Sequence, residues 1–252
     1  MSHFSVAVFT KPNGATVDEL LAPYYEGLEV EPYMDRTKEE ALAKIAKYEE
    51  KYPEYKTMTD EQKMRDWFGY RHFDENGNPM TTYNPKSKWD WYSIGGRFPG
   101  RLKAKNGEHG EGSAFNDNPM VDGEFDSARV GDIDFSMDMD EYNKAIRFWE
   151  VVIEKQPLKE GENEKDFDAW YRDEYYKEYY RDKETYAKVC ASYGTYAVVT
   201  VDGEWFSKGD MGYWGMSSET GDESLDWDLH YKERFIDTAD PDWILTIVDC
   251  HI

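Results

Sequence analysis

"DWILTIVDCHI", residues 242–252, decides the fold. From Ile244 to Val248 every residue is apolar or β-branched. The run is too short for a buried helix, so it reads as a strand inside a sheet. "HFSVAVFT", residues 3–10, has the same character near the other end of the chain. The expectation is that the two strands lie in one sheet, both buried. A period of two then puts Asp249 and His251 on one face and Cys250 on the other. If the two strands are neighbours, His3 comes near that face as well.

Between these strands the pattern is mainly helical at first. Thr16, Thr37 and Thr59 each precede Glu or Gln by three residues, the spacing of a reciprocal N-terminal cap. They predict short helices across 16–70. Residues 138–154 carry Tyr142, Ala145, Ile146, Trp149, Val152 and Ile153 at helical spacing. A second helical stretch, 166–193, bears a stripe of tyrosines that reads as a packing face. "TYAVVTVDGEWFSKG", 195–209, is a hairpin turning at Asp202-Gly203. An acidic helix over 223–239 leads to the last strand. "SARVGDIDF", 127–135, holds a further strand. The order predicts one α+β domain over 1–252, with a single mixed or antiparallel sheet, helices packed on it, and an exposed helical insertion at about 138–193.

The composition bounds the function. The chain has 53 acidic residues against 30 Lys plus Arg, a net charge of -23, and 9 Trp, 20 Tyr and 12 Phe. The rings supply an aromatic-rich core. The charge repels nucleic-acid phosphates and anionic membranes and attracts basic surfaces. No stretch approaches the roughly 20 apolar residues that span a bilayer. "MSHFSVAVFTKPNG" has no basic region before its apolar run, so it reads as a first strand rather than a signal peptide. Two cysteines make no disulfide framework, and the cytosol is the expected compartment.

Against that acidity "YNPKSKWDWYSIGGRFPGR", 83–101, stands out. Lys86 to Lys105 holds six basic residues and one acid, Asp90. On a strand, Trp89 and Trp91 share a face as an aromatic wall, with Asp90 opposite. Gly95 and Gly96 allow a tight turn with bare backbone amides, and Arg97 can fork onto an anionic group. Such a set suits a nucleotide-like ligand; equally, it builds a Trp-rich hairpin whose Arg97 turns inward. "GDMGYWGM", 209–216, adds Asp210 and Trp214 on a glycine loop. His3, Asp249 and His251 are weak metal candidates, without any paired-ligand motif. Asp117, Asp122, Glu124, Asp126, Asp132 and Asp134 form an acid-rich segment, the candidate surface for a basic partner.

"MSHFSVAVFT", "YNPKSKWDWYSIGGRF", "GDMGYWG" and "VDCHI" together resemble a family of bacteriophage, prophage and bacterial proteins. Phe98 stands where that pattern usually has Trp. The resemblance implies a viral or prophage accessory gene and carries no activity, catalytic residue or cofactor. It also implies that the central block, the glycine loop and the last strand belong together. Two functions are then expected. The first is a phage accessory factor whose acidic surface binds and inhibits a host or defence protein, as nucleic-acid mimics and anti-CRISPR proteins do. It needs no direct nucleic acid and no membrane. The alternative is a nucleotide or small-molecule binder, or an enzyme, built from 83–101 and 209–216.

Overall fold

The structure, a computed structural model, describes residues 2–49, 51–105 and 124–252. In chain order the described elements begin with β1 (His3–Thr10), α1 (Val17–Leu21), β2 (Tyr33–Met34), α2 (Lys38–Ala46), α3 (Asp60–Phe68), β3 (His72–Phe73) and β4 (Pro79–Thr81). There follow β5 (Trp91–Ile94), β6 (Leu102–Lys103), β7 (Glu124–Phe125), β8 (Ser127–Arg129), α4 (Met139–Val152), α5 (Asp173–Tyr180) and α6 (Lys183–Ala191). The last are β9 (Ala197–Val199), β10 (Trp205–Ser207), α7 (Gly221–Tyr231) and β11 (Ile244–His251). They fall into two compact units, residues 1–22 with 88–252, and residues 23–87. The class is α+β, as the sequence predicts. No helix among the described residues is long and apolar enough to cross a membrane.

The first unit is built on a mixed sheet ordered β10-β9-β1-β11-β5, with β8 also paired to β11. β1 and β11 run antiparallel along their whole length, from His3 opposite His251 to Thr10 opposite Ile244. Both are buried, as their β-branched content demands. β9 joins β1 in parallel and returns through the Asp202-Gly203 turn to β10. One sheet face presents Ala7, Phe9, Val198, Leu245 and Ile247 to Trp227 and Tyr231 of α7. Ile236, on a π-helical turn that extends α7, completes the cover. Burying each of Phe9, Val198, Leu245, Ile247 and Ile236 contributes about 1.5–3 kcal/mol. On the opposite face α1 buries Leu20 and Leu21.

The helical stretch 138–193 is three helices rather than two. Trp149 of α4 and the adjacent Ile153 pack against Tyr176 of α5. The chain then breaks at Arg181, whose φ is 71°. Asp182 caps α6 by accepting from Thr185 N at 2.8 Å. The Asp182 cap signal ends the tyrosine stripe that sequence periodicity would carry through, and Phe167 and Trp170 lie outside both helices.

The second unit has a small core of Ala41, Ile45, Tyr55 and Met64, contributed by α2, α3 and the turn between them. A three-stranded sheet ordered β2-β4-β3 completes it. The caps at Thr37 and Thr59 form as predicted, as does the one at Thr16 in the first unit. Each reciprocal cap satisfies two backbone donors that helix geometry leaves orphaned.

Candidate functional site

The face that carries the apolar core changes character toward one end of the sheet. Moving along β1 from Ala7, the next residues on that face are Ser5 and His3. Along β11 they are Asp249 and His251, and on the adjoining β5 they are Ser93 and Trp91. Antiparallel register sets His3 beside His251 and His251 beside Trp91. Three strand ends from distant parts of the sequence thus converge.

The two imidazoles are held alike. His3 Nδ1 lies 2.9 Å from Asp249 Oδ1. His251 Nδ1 lies 2.6 Å from Asp90 Oδ1. A carboxylate beside Nδ1 makes that nitrogen the donor and leaves Nε2 as the ring nitrogen for another group. Neither Nε2 has a hydrogen-bond partner among the described residues. The rings touch edge to face, centroids 4.9 Å apart at 72°. Trp91 stacks on His251 at 4.9 Å and 18° and meets His3 edge-on at 5.2 Å. The histidine side chains are 10% and 6% exposed, whereas Trp91 is 41% exposed, so its ring is the wide face that solvent meets.

Trp89 does not join that wall. Asp90 bends the chain before β5, breaking the period of two. Trp89 is therefore buried on the opposite side, edge-on to Tyr92 at 5.1 Å, with Nε1 donating to Leu21 O at 3.2 Å. The same bend brings Asp90, expected to point away, onto His251.

The Gly95-Gly96 turn is likewise not an anion cradle. Both residues have positive φ, 68° and 53°. A Cβ on Gly95 would come within 2.2 Å of Asp126 Oδ2, and one on Gly96 within 2.3 Å of Asp249 Cβ. The glycines are required because carboxylates of the protein itself occupy the space. The amides are committed: Gly95 N to Ile247 O at 2.9 Å, Gly96 N to Ile94 O at 2.8 Å, and Arg97 N to Asp249 Oδ2 at 2.9 Å. Asp249 thereby ties the turn to His3. The Arg97 side chain is exposed, with no carboxylate partner among the described residues, contrary to the expectation that it turns inward. Ser93 Oγ is sealed from solvent beside Asp249 and has no hydrogen-bond partner among the described residues.

The glycine loop is pinned to the same sheet end. Ser2 Oγ donates to Gly212 O and accepts from Gly215 N, both at 2.6 Å. Asp210 pairs with Lys88. Trp214 stands out from this loop, 83% exposed, at a φ of 66°. The loop thus reaches the site through its backbone and Asp210, while the Trp214 ring faces solvent.

Of the acid-rich candidates, Asp126 is a correction. It is 0% exposed and accepts from Gly100 N at 2.7 Å, so it offers nothing to a partner. Asp132 and Asp134 are exposed, and hydrogen bonds from Ser136 hold the Asp134 carboxyl below its usual range. Glu124 begins β7, and Asp117 and Asp122 lie outside the described residues. Cys250 faces the other side of the sheet, and burial pushes its thiol well above the usual value, which disfavours the nucleophilic thiolate. Among the described residues no group of three or more His, Cys, Asp or Glu side chains is disposed to hold a metal. His3, Asp249 and His251 do meet, but as carboxylate-anchored imidazoles.

Sequence reasoning missed Asp90 as a histidine partner, and missed Ser2 and Ser93 altogether. The strand register would have found Ser93, two residues from Trp91 on the same face. Comparison of the chain with protein-family models, curated proteins and solved structures gives no match.

Proposed function

We propose that the protein binds a small ligand combining a flat ring with an acidic group, a nucleotide being the type, at the His3–Trp91–His251 end of the sheet. One observation carries the reading: two imidazoles, each anchored through Nδ1 and each with Nε2 uncommitted, sit beside a half-open tryptophan. Trp91 offers a stacking face, the two Nε2 atoms offer polar contacts, and Arg97, its amide held on Asp249, offers a cation with no carboxylate partner among the described residues. The net charge of -23 favours a small anion over a polyanion, because repulsion accumulates with every phosphate. Calorimetric titration with mono- and dinucleotides tests this. Trp91→Ala is expected to weaken binding by about 1–3 kcal/mol, the worth of one base–aromatic stack. Arg97→Ala is expected to weaken it and flatten its salt dependence. A parent protein that binds none of these ligands at millimolar concentration removes the reading.

A second reading keeps the protein as a phage accessory factor docking on a basic host or defence protein in the host cytoplasm. The net charge and the exposed Asp132 and Asp134 favour it. Capture from host lysate, followed by affinity across a salt series, tests it. A complex indifferent to salt would count against electrostatic docking.

A further inference from the structure

We propose that His3 and His251 act as a general acid–base pair that cleaves the phosphodiester bond of a small ribonucleotide. The inference rests on the ligand reading above and adds a reaction to it. Cleaving such a bond requires one proton taken from the attacking hydroxyl and one given to the leaving alkoxide. A single imidazole can do one of these at a time; two neighbouring imidazoles do both.

The site is built for that division. Each Nδ1 is engaged by its own carboxylate, Asp249 for His3 and Asp90 for His251. Each carboxylate engages Nδ1, so that proton exchange falls to Nε2, and it stabilises the imidazolium form of its ring. The rings are in contact at 4.9 Å, so one bound phosphodiester can present both its hydroxyl and its leaving oxygen to the pair. Trp91, stacked on His251 through one face, leaves its other face for a base one ring away from the pair. Arg97, whose amide is held on Asp249 and whose side chain is exposed, is the cation on the adjoining turn. The carboxylates are positioning residues; the imidazoles are the groups that touch substrate.

In the step itself, Nε2 of one histidine takes the 2′-hydroxyl proton. The 2′-oxygen forms a bond to phosphorus as the bond from phosphorus to the 5′-oxygen breaks. Nε2–H of the other histidine delivers its proton to the departing 5′-oxygen. The products are a 2′,3′-cyclic phosphate and a 5′-hydroxyl. The two histidines have exchanged protonation states, which solvent restores. No oxidant, reductant or co-reactant is consumed.

Ribodinucleoside monophosphates and their 2′-deoxy counterparts test this on the parent protein. Both are expected to bind and only the ribo form to be cleaved, with a rate that rises and then falls with pH. The charged side chains bonded to the pair are Asp249 from β11 and Asp90 from the bend before β5, and Asp249 also accepts from the Arg97 amide. His3→Gln and His251→Gln should each lower kcat by about 10²–10⁴ with little change in KM. Asp90→Asn and Asp249→Asn should lower it less and displace the pH profile, which a purely structural role would not do. His251 is buried, so its variant can fail to fold; His3→Gln at the strand end and the ribo–deoxy contrast then carry the test. Binding of both dinucleotides without cleavage overturns the acid–base pair and leaves the ligand reading standing. Absence of binding overturns both. Cleavage that survives His3→Gln at the parent rate, or that needs an added divalent cation, also overturns the pair.

Discussion

The two ends of one sheet face are made by the same strands and follow opposite rules. At one end Phe9, Leu245 and Ile247 lie under Trp227 and Tyr231, a dry contact between apolar surfaces. At the other, His3, Asp249, His251 and Ser93 occupy the same face with comparably little exposure. Extending the apolar pattern would have been the easier way to stabilise the sheet, since a buried polar group costs free energy unless it is bonded. The polar end is instead satisfied piece by piece: a carboxylate for each imidazole, a backbone amide for Asp249, glycines where a Cβ would displace the carboxylates. Such exact reciprocal pairing is fragile, because each group is held by one or two partners rather than by an area. The apolar end fails gradually and the polar end fails at single atoms.

The largest expected effect breaks the polar end at such an atom. Gly96→Ala places a Cβ within 2.5 Å of Asp249 Oδ2 and 2.6 Å of Ser93 Oγ, at a φ of 53°. Backbone strain and overpacking each contribute about 1–3 kcal/mol, so a loss of about 2–6 kcal/mol is expected. Gly69→Ala is the control. Its φ is 78°, but a Cβ there meets nothing within 4 Å, so only strain acts. Urea unfolding of the two variants measures the difference. Equal losses would mean that the carboxylate-filled turn is not tight.

At the apolar end Leu245→Ala should cost about 2–5 kcal/mol through lost transfer energy and a residual cavity. Ligand affinity at the polar end, measured well below the unfolding transition, should stay the same. A large loss of affinity would show that the two ends are coupled rather than independent.

Alkaline titration sharpens the contrast further. Burial raises the phenols of Tyr193 and Tyr231 above the ordinary value of 10.0. Their folded-state values lie above the unfolded ones, so the stability they contribute is complete below pH 10 and is lost as pH rises beyond it. Each contributes a slope of roughly 1.4 kcal/mol per pH unit over that range. Denaturant midpoints between pH 9 and 11 should therefore fall, and Tyr193→Phe should make the fall shallower. A midpoint independent of pH in that range would contradict the dry environment assigned to this end.

The two ends also differ in how far the sequence reveals them. "ILTIV" and "VAVF" announce the apolar end, because β-branched runs have few places to go but a sheet interior. The common face of Asp249 and His251 follows from the period of two, and so does the approach of His3 once the strands are neighbours. The rest of the site depends on where the chain bends. A bend at Asp90 sends Trp89 to one side and Asp90 to the other, and nothing in "KWDWY" marks the break. Gly95-Gly96 can be read as a turn, but its occupants, Asp126 and Asp249, come from 31 and 153 residues further along. Local patterns encode local conformation. Carboxylates that fill a turn from distant strands are set by topology, which is why the amides look bare in the sequence and are occupied in the fold.

The smallest effect separates the two ends most cleanly. Among the described residues each has a hydroxyl sealed from solvent without a hydrogen-bond partner, Tyr193 OH at the apolar end and Ser93 Oγ at the polar end. Leaving such a group unpaired costs about 1–3 kcal/mol, so removing it should recover part of that. Tyr193→Phe and Ser93→Ala are both expected to raise stability, each by about 1 kcal/mol, since the cavity left by one oxygen offsets some of the gain. Their consequences for the ligand should differ. Tyr193 contacts Tyr231 and Phe135 in the core, and its hydroxyl has no further use there. Ser93 shares a face with Trp91 and Asp249, and its sealed hydroxyl reaches a bound anion only when ligand binding shifts the Gly96 turn that covers it. Ser93→Ala should therefore weaken nucleotide binding several-fold while Tyr193→Phe leaves it unchanged. Thermal unfolding with and without nucleotide reads both quantities in one experiment. If Ser93→Ala stabilises the protein and binds ligand as tightly as the parent, the unpaired hydroxyl is a packing defect, and the polar end owes its form to the fold alone.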